Sequence, residues 1–521
     1  MSSRSSSMVR HSIKMMAGTL VSRILGLIRE VLIASLFGAT GKLDAFLVAY
    51  TLANLTRRLL AEGALSAAFV PVFSQLLKKE GKSRAFVLAS QVLSILIVAS
   101  IFVILLGVFF APTLVSILAP GFASLHSALA SQLTVLMLPF LLFISVAALA
   151  MGILNSLGCF FVPAIAPALS NVVFIILVVI LAPKMEIYSL AWAVLVGGLA
   201  QCALQWFWIK RWGFTLLPTR PDMKDDSLKR TLRLFLPYAA GLSITQLIPV
   251  FSRVLGSFLQ EGSISVLNYA DRVLQLPLGL FIIAISQAVL PLFAHLAMED
   301  EASFKKGIEE ALQFAIFIVA PVVIGMVMLN REIVHFLFFR GAFSAWAWRG
   351  TSLALMLFVL GLPGTSCLTV LMRAFYAKGY SREPLILSAF SVVLYVAFGV
   401  LLMKPYSYGG LAAASSVSFT LTAILGGALL DKRHIKVRPF SFLWLAKIVP
   451  SLALMAGTVY FLKELWGYPF SGAFIYKTLW MLSVISAGAL SYGAATWIAG
   501  CREWKWVIEA LGKKESKSGE K

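Results

Sequence analysis

The chain runs to 521 residues, of which 60% are hydrophobic and only 13% charged, and its mean hydropathy is +0.90. Soluble domains are ~45–50% apolar and ~25% charged, so the composition excludes an ordinary soluble enzyme and describes an all-α polytopic membrane protein. A net charge of +21 would suggest nucleic acid in a soluble chain; here it is the Lys and Arg of cytoplasmic loops, and no nucleic-acid partner is expected.

The opening segment, MSSRSSSMVRHSIK, is basic and polar like the start of a signal peptide. The apolar run behind it is broken by Arg23 and Arg29 and offers no A-x-A site, so cleavage is not expected, and Met8 is an alternative start. A hydrocarbon core of ~30 Å takes ~20 apolar residues per helix. That ruler places spans at about 12–38, 44–77, 86–111, 129–156, 161–183, 187–210, 229–259, 265–297, 304–330, 348–377, 383–404, 408–430, 440–463 and 476–500. These are fourteen transmembrane helices. The tail from 501 to 521 reads as an interfacial amphipathic turn followed by a disordered basic end.

The first two spans are where the charge sits. SRILGLIRE and NLTRRLLAEGALSAAFVP bring Arg23, Arg29, Glu30, Arg57, Arg58 and Glu62 into apolar surroundings, with Asp44 at the start of the second span. Each such charge costs about 2.5–3.5 kcal/mol at the centre of a bilayer, so it needs a wet cavity, a partner charge or the membrane surface. Ser22, Gly26 and Arg29 follow spacings of four and three and share one helix face; Arg23 and Glu30 share a neighbouring one. Arg58 and Glu62 stand four apart and can neutralise one another, whereas Arg57 has no local acid. Asp44 suits the positive end of its own helix dipole. In the eighth span, NYADRVLQLPLG carries Asp271 and Arg272. Adjacent residues point ~100° apart on a helix, so Asp271 need not cancel Arg272. Arg253 and Arg373 read as side chains that snorkel to an interface.

With the N-terminus inside, cytoplasmic loops and tails hold about 28 Lys and Arg, external loops about 8 and spans about 8. Both termini are therefore expected in the cytoplasm. A repeat offset by 220–221 residues is also visible: AAFVPVFSQL at Pro71 against QAVLPLFAHL at Pro291, GCFFVP at Pro163 against GYSREP at Pro384, and LAWAVLVGG from Leu190 against LAAASSVSF from Leu411. It predicts two pseudo-symmetric six-helix lobes, an N-terminal lobe (1–228) and a C-terminal lobe (229–438), with two extra C-terminal helices (439–500) and the basic tail (501–521). Parallel halves with substrate between them are a transporter plan. By this repeat the eighth span is the counterpart of the second, which sets Arg272 against Arg57.

Little else carries chemistry. Gly81-Lys82-Ser83 lacks the glycine a phosphate loop requires five positions earlier, where Leu76 stands. No His, Cys or carboxylate spacing suggests a metal or a catalytic centre, and Cys159, Cys202, Cys367 and Cys501 are scattered. No cofactor and no enzymatic activity are expected. Guanidinium groups grip phosphate oxygens in a two-pronged geometry that Lys does not reproduce, so the converging arginines suggest a phosphate or diphosphate.

Taken together, SRILGLIREVLIASLFGAT, LDAFLVAYTLANLTRRLLAEGALSAAFVPVF, YADRVLQLPLG and FFRGAFS closely resemble the MurJ (MviN) family over the whole chain. These are lipid II flippases of the multidrug/oligosaccharidyl-lipid/polysaccharide exporter superfamily. The resemblance implies transport of the undecaprenyl-diphosphate-linked peptidoglycan precursor from the inner to the outer leaflet of the bacterial cytoplasmic (inner) membrane by alternating access. It implies substrate-binding arginines at Arg23, Arg29, Arg57 and Arg272, and gating or charge-pairing roles for Glu30, Asp44, Arg58, Glu62 and Asp271. It also implies a groove for the lipid tail on the last two spans, and membrane lipid and the cell-wall synthesis machinery as partners. LANLTRR has Ala53 where relatives read LPNLLRR, so a milder bend is expected there. The seventh span offers no carboxylate and the eleventh neither Asp nor Asn, so the ligand set of sodium-binding members is not expected here. The alternative reading is an exporter of another polyprenyl-linked saccharide, or a drug exporter of the same superfamily; a drug exporter would want cavity acids rather than an arginine surplus.

Overall fold

The computed structural model describes residues 21–57, 64–245 and 247–512. Among these every regular element is helical, as the long apolar runs with few β-breaking turns demand. A first helix, α1, covers 21–37. It is followed by α2 (Gly41–Arg57), α3 (Ala64–Lys79), α4 (Gly81–Phe109), α5 (Ala111–Leu118), α6 (Ser124–Met137), α7 (Phe140–Ser156), α8 (Phe161–Met185), α9 (Tyr188–Arg211), α10 (Asp226–Thr245) and α11 (Leu247–Gly256). Next come α12 (Ser263–Pro277), a π-turn (Leu278–Ile282), α13 (Ile283–Leu296), α14 (Glu301–Met328), α15 (Asn330–Phe338), α16 (Ala345–Val359) and α17 (Leu362–Ala377). The last elements are α18 (Arg382–Lys432), α19 (Phe442–Leu465), α20 (Phe474–Ile498) and α21 (Glu503–Gly512).

Among the described residues, eight helices are long and apolar enough to cross a membrane, or up to ten if each of two bent pairs is one span. The predicted continuous spans 129–156 and 348–377 are those bent pairs. α6 and α7 meet at 40°, and α16 and α17 at 41°. Pro139 precedes the first residue of α7, and Gly361 precedes α17 with Pro363 in its first turn, so each bend sits at a helix breaker. The span predicted at 265–297 is one continuous candidate span, Ser263–Leu296, that contains a π-turn behind Pro277. The joint predicted at 404–408 is present: α18 is two helices that meet at Ser407, which leaves helical geometry (φ 51°, ψ −134°).

The chain forms two compact units. One comprises the described residues of Met1–Ser265 together with Arg340–Ser344, the other those of Val266–Phe339 and Ala345–Lys521. In the first, α7 packs on α9 so closely that a Cβ on Gly198 would lie 2.5 Å from the Phe140 ring. In the second, Phe293, Phe304, Phe375 and Leu387 anchor a core shared by α13, α14, α17 and α18. Small residues let α17 and α18 touch: a Cβ at Gly361 or Gly364 would be 2.6 Å from the Cα of Ser416 or Thr420. α19 and α20 join α14 through Phe317, Trp444, Met455 and Tyr492. The tail's amphipathic turn is a helix, α21, and it docks rather than lying free. Trp504 packs on Phe317 and its indole N–H donates to Thr496, while buried Glu503 accepts from the Trp444 indole.

The internal repeat extends to backbone detail. α6 and α16 begin 221 residues apart, at Ser124 and Ala345, and α7 and α17 end 221 apart, at Ser156 and Ala377. α8 opens at Phe161 and α9 closes at Arg211, while α18 opens at Arg382 and closes at Lys432, again 221 later. Left-handed residues recur at the same interval: Gly158 and Gly379 (φ 80° and 75°), Glu186 and Ser407 (43° and 51°), Gly213 and His434 (84° and 66°). Side chains other than glycine rarely tolerate such φ values, so three coincidences in register are not chance.

Candidate functional site

Helix α1 meets α8 along the face that the spacing of Ser22, Gly26 and Arg29 defines. One side chain of α8, Asn171, answers all three. Its amide nitrogen donates to the Ser22 carbonyl at 3.2 Å, and a Cβ on Gly26 would stand 3.8 Å from that nitrogen. Its amide oxygen accepts from Arg29 Nη1 at 3.2 Å. Arg29 Nη2 pairs with Glu30 Oε1 at 2.9 Å, and its guanidinium carbon lies 5.1 Å from the centre of the Phe174 ring. Arg29 Nε has no hydrogen-bond partner among the described residues.

This shell explains how the charge is tolerated. Glu30 is buried, at 5% exposure, and a buried carboxylate is stable only with a close donor. Arg29, its chain neighbour, supplies one at 2.9 Å. Hydrogen bonds to charged groups contribute about 1.5–3 kcal/mol, and a ring face under a guanidinium adds about 0.5–2 kcal/mol. Two of the three partners of Arg29, Asn171 and Phe174, hold it without neutralising it. The guanidinium is thus pre-oriented and half-buried, while Arg23, a turn and a half away, is exposed. Residues 21–37 carry these two arginines against one acid, which leaves α1 a net positive charge.

Asp44 does more than face its own helix dipole. It is 3% exposed in the first turn of α2. Its oxygens accept from the Gly262 and Ser265 amides, both at 2.7 Å, and from the Ser265 hydroxyl at 2.6 Å. Those amides are orphan donors at the start of α12, so Asp44 caps α12 from over two hundred residues away. Arg253 corrects the snorkelling expectation. Its Nε donates to Thr51 Oγ1 and its Nη1 to the Ile264 carbonyl, both at 3.3 Å. Arg373 also turns inward, donating to Ser286 Oγ at 2.7 Å.

In the second unit, Asp271 and Arg272 lie half-buried on α12, and Asp271 accepts a 3.4 Å contact from Gln275. At an interval of 221, Arg272 corresponds to Thr51 and Arg57 to Leu278, the first residue of the π-turn. The two arginines thus lie on counterpart helices, six residues out of register. Arg57 is the last described residue of α2; Arg58 and Glu62 lie outside the described residues. Asn171 and Phe174 are the residues sequence reasoning missed. The one available signal was an amide inside the apolar run ALSNVVFIILVV.

Comparison with known proteins adds three findings. The family model described as "Lipid II flippase MurJ" matches residues 33–481. The "Probable lipid II flippase MurJ" of Haemophilus influenzae is 31% identical over 508 residues, covering 93% of this chain and 98% of its own. The "Lipid II flippase MurJ" of Burkholderia cenocepacia is 31% identical over 452 residues, covering 85% and 87%. Among solved structures, "Lipid II flippase MurJ, inward closed conformation" superposes with a TM-score of 0.77 at 27% identity, over 93% of this chain and 98% of that one. An inward-facing multidrug resistance MATE family transporter of the MOP superfamily shares the fold at 19% identity, with a TM-score of 0.69 over 82% and 98%.

Proposed function

The chain belongs to the lipid II flippase MurJ family, and on that premise we propose that it carries lipid II from the inner to the outer leaflet of the bacterial cytoplasmic membrane by alternating access. It is a membrane transporter and not an enzyme. The observation that carries the reading is the Arg29 guanidinium, half-buried on an apolar helix, where Asn171 and Phe174 orient it beside its one acid, Glu30. A diphosphate is the part of lipid II that such a group recognises. Arg23, Arg29, Arg57 and Arg272 bind it in this reading, while Glu30, Asp44, Arg58, Glu62 and Asp271 pair charges or gate. Asp44 is suited to gating because its three hydrogen bonds fasten α2 to the start of α12, the helix that bears Arg272.

The finer architecture belongs to the same proposal: fourteen spans, lobes at 1–228 and 229–438, a lipid-tail groove on 439–500, and both termini in the cytoplasm. The 221-residue register of helix ends, bends and left-handed residues supports the duplication on which the two lobes rest. Contact with the cell-wall synthesis machinery follows from the substrate's destination.

A leaflet-resolved assay of lipid II in cells depleted of this protein tests the reading. Lipid II should accumulate in the inner leaflet, while its chemical composition stays unchanged. Unaltered leaflet distribution would overturn the transport reading, and chemically altered lipid II would favour an enzyme.

A further inference from the structure

Apart from the arginines, the first unit holds a cleft of about 950 Å³ whose lining changes character from one end to the other. Small-molecule sites span ~300–1,000 Å³ and are mostly apolar with a few polar groups, so the cleft is of ligand size. One wall is hydrocarbon, built by Leu32, Leu36 and Phe37 of α1 with Val179, Ala182 and Pro183 of α8. The mouth is charged. It is bordered by Lys42 at the start of α2, His126 of α6, Glu186 between α8 and α9, and Glu261 between α11 and α12.

The apolar wall continues beyond the cleft. Ile24, Ile28, Leu32 and Leu36 recur every fourth residue and form one row along α1. Ile24, Ile28 and Leu36 are exposed, as are Ile176, Val179 and Ile180 on α8. In a membrane-spanning chain such uncovered rows meet acyl chains, which are as apolar as the side chains themselves.

The mouth carries both signs. Lys42 pairs with Glu186, and both side chains are more than half exposed. His126 Nδ1 lies 3.6 Å from Glu261 Oε1. A Cβ on Gly41 would stand 2.4 Å from His126 Nε2 and 2.9 Å from Glu261 Oε2, so both side chains lean over the start of α2. One lysine against two glutamates leaves this rim an acid in surplus. An occupant therefore needs hydrocarbon for the wall, an anion for Lys42 and a cation for the carboxylates. A purely anionic headgroup would meet the surplus acid. A zwitterion entering the Lys42–Glu186 pair leaves neither charge unmatched.

We propose that this cleft binds a membrane phospholipid with a primary-amine headgroup, its acyl chain on the α1–α8 wall, its phosphate at Lys42 and its ammonium at Glu186 and Glu261. The site is distinct from the surroundings of Arg29, since Asn171, Phe174 and Glu30 do not line the cleft. A lipid held there fastens α1 to α8 along their lipid-facing seam.

The test uses full-length protein in phosphatidylglycerol nanodiscs doped with phosphatidylethanolamine or phosphatidylglycerol bearing the same photoreactive acyl chain. The two probes share the phosphodiester and the chains and differ in the ammonium. The ethanolamine probe should cross-link to residues 32–37 and 179–187 about two- to fivefold more than the glycerol probe, the margin that one exposed ion pair supplies. Glu186→Gln, Glu261→Gln protein should lose that preference and capture the glycerol probe at least as well as wild type. Both glutamates are exposed, so the double variant should fold, and its thermal midpoint checks this. Equal capture of the two probes by wild-type protein would overturn the proposal. So would a preference that survives in the double variant, or cross-links elsewhere with none in the cleft. Lipid II takes no part in the measurement, so a failure here leaves the flippase reading intact.

Discussion

At the scale of residues, Asn171 and Glu30 together fix where the Arg29 guanidinium points. Asn171→Leu preserves bulk but removes both hydrogen bonds to α1, so Arg29 should lose its alignment and lipid II translocation should fall about tenfold, the order expected for a misplaced binding group. Asn171→Asp should be worse, because a second acid beside Arg29 and Glu30 would make the group net negative and repel a diphosphate. Translocation rates at matched protein levels check both, and a wild-type rate for the Leu variant would remove Asn171 from the account. Arg253→Ala carries a different expectation from that of a snorkelling side chain. It strips Thr51 and the Ile264 carbonyl of their donor and leaves Asp44 without its nearby cation. The thermal midpoint should drop by the equivalent of roughly 1–3 kcal/mol, and an unshifted midpoint would contradict it. The cost of charge in lipid singled out Arg29, Glu30 and Asp44 from sequence alone. Their partners were hidden because Asn171, Gly262 and Ser265 are distant in the chain and chemically ordinary where they stand.

At the scale of elements, apolar run length located most helices to within a few residues. α8 at Phe161–Met185 against 161–183 and α9 at Tyr188–Arg211 against 187–210 are examples. Run length is blind to direction, however, so the bends between α6 and α7 and between α16 and α17 went unread although Pro139 and Gly361 mark them. The kink in α18 is more informative, because Ser407 adopts a conformation that suits glycine, at an expense of about 1–3 kcal/mol. Ser407→Gly should therefore raise the thermal midpoint, and Ser407→Val should lower it. A destabilised glycine variant would show that the Ser407 side chain, and not the geometry of the joint, stabilises the kink. The repeat was legible in three short sequence matches. Its backbone register was not, since Glu186 and Ser407 share a conformation without sharing chemistry.

At the scale of the whole molecule, the distribution of Lys and Arg orients the chain. By the positive-inside rule it predicts residues 78–84, 210–230 and 431–438 in the cytoplasm and 111–128 and 331–347 outside. Single cysteines at Ser83 and Ser124, in a chain without Cys159, Cys202, Cys367 and Cys501, should react oppositely with a membrane-impermeant thiol reagent added to intact cells. Equal reaction at both would refute the orientation or the span count. The central claim, that arginines on α1, α2 and α12 carry the diphosphate of lipid II across the membrane, is tested most directly by reconstitution. Lipid II exposed at the far leaflet is measured in vesicles holding wild-type protein or the Ala or Lys variants of Arg23, Arg29, Arg57 and Arg272. Wild-type protein should expose lipid II well above empty vesicles, each Ala variant should fall to the empty-vesicle level, and Lys should recover little because it lacks the planar fork. Wild-type exposure by the Ala variants would contradict the account.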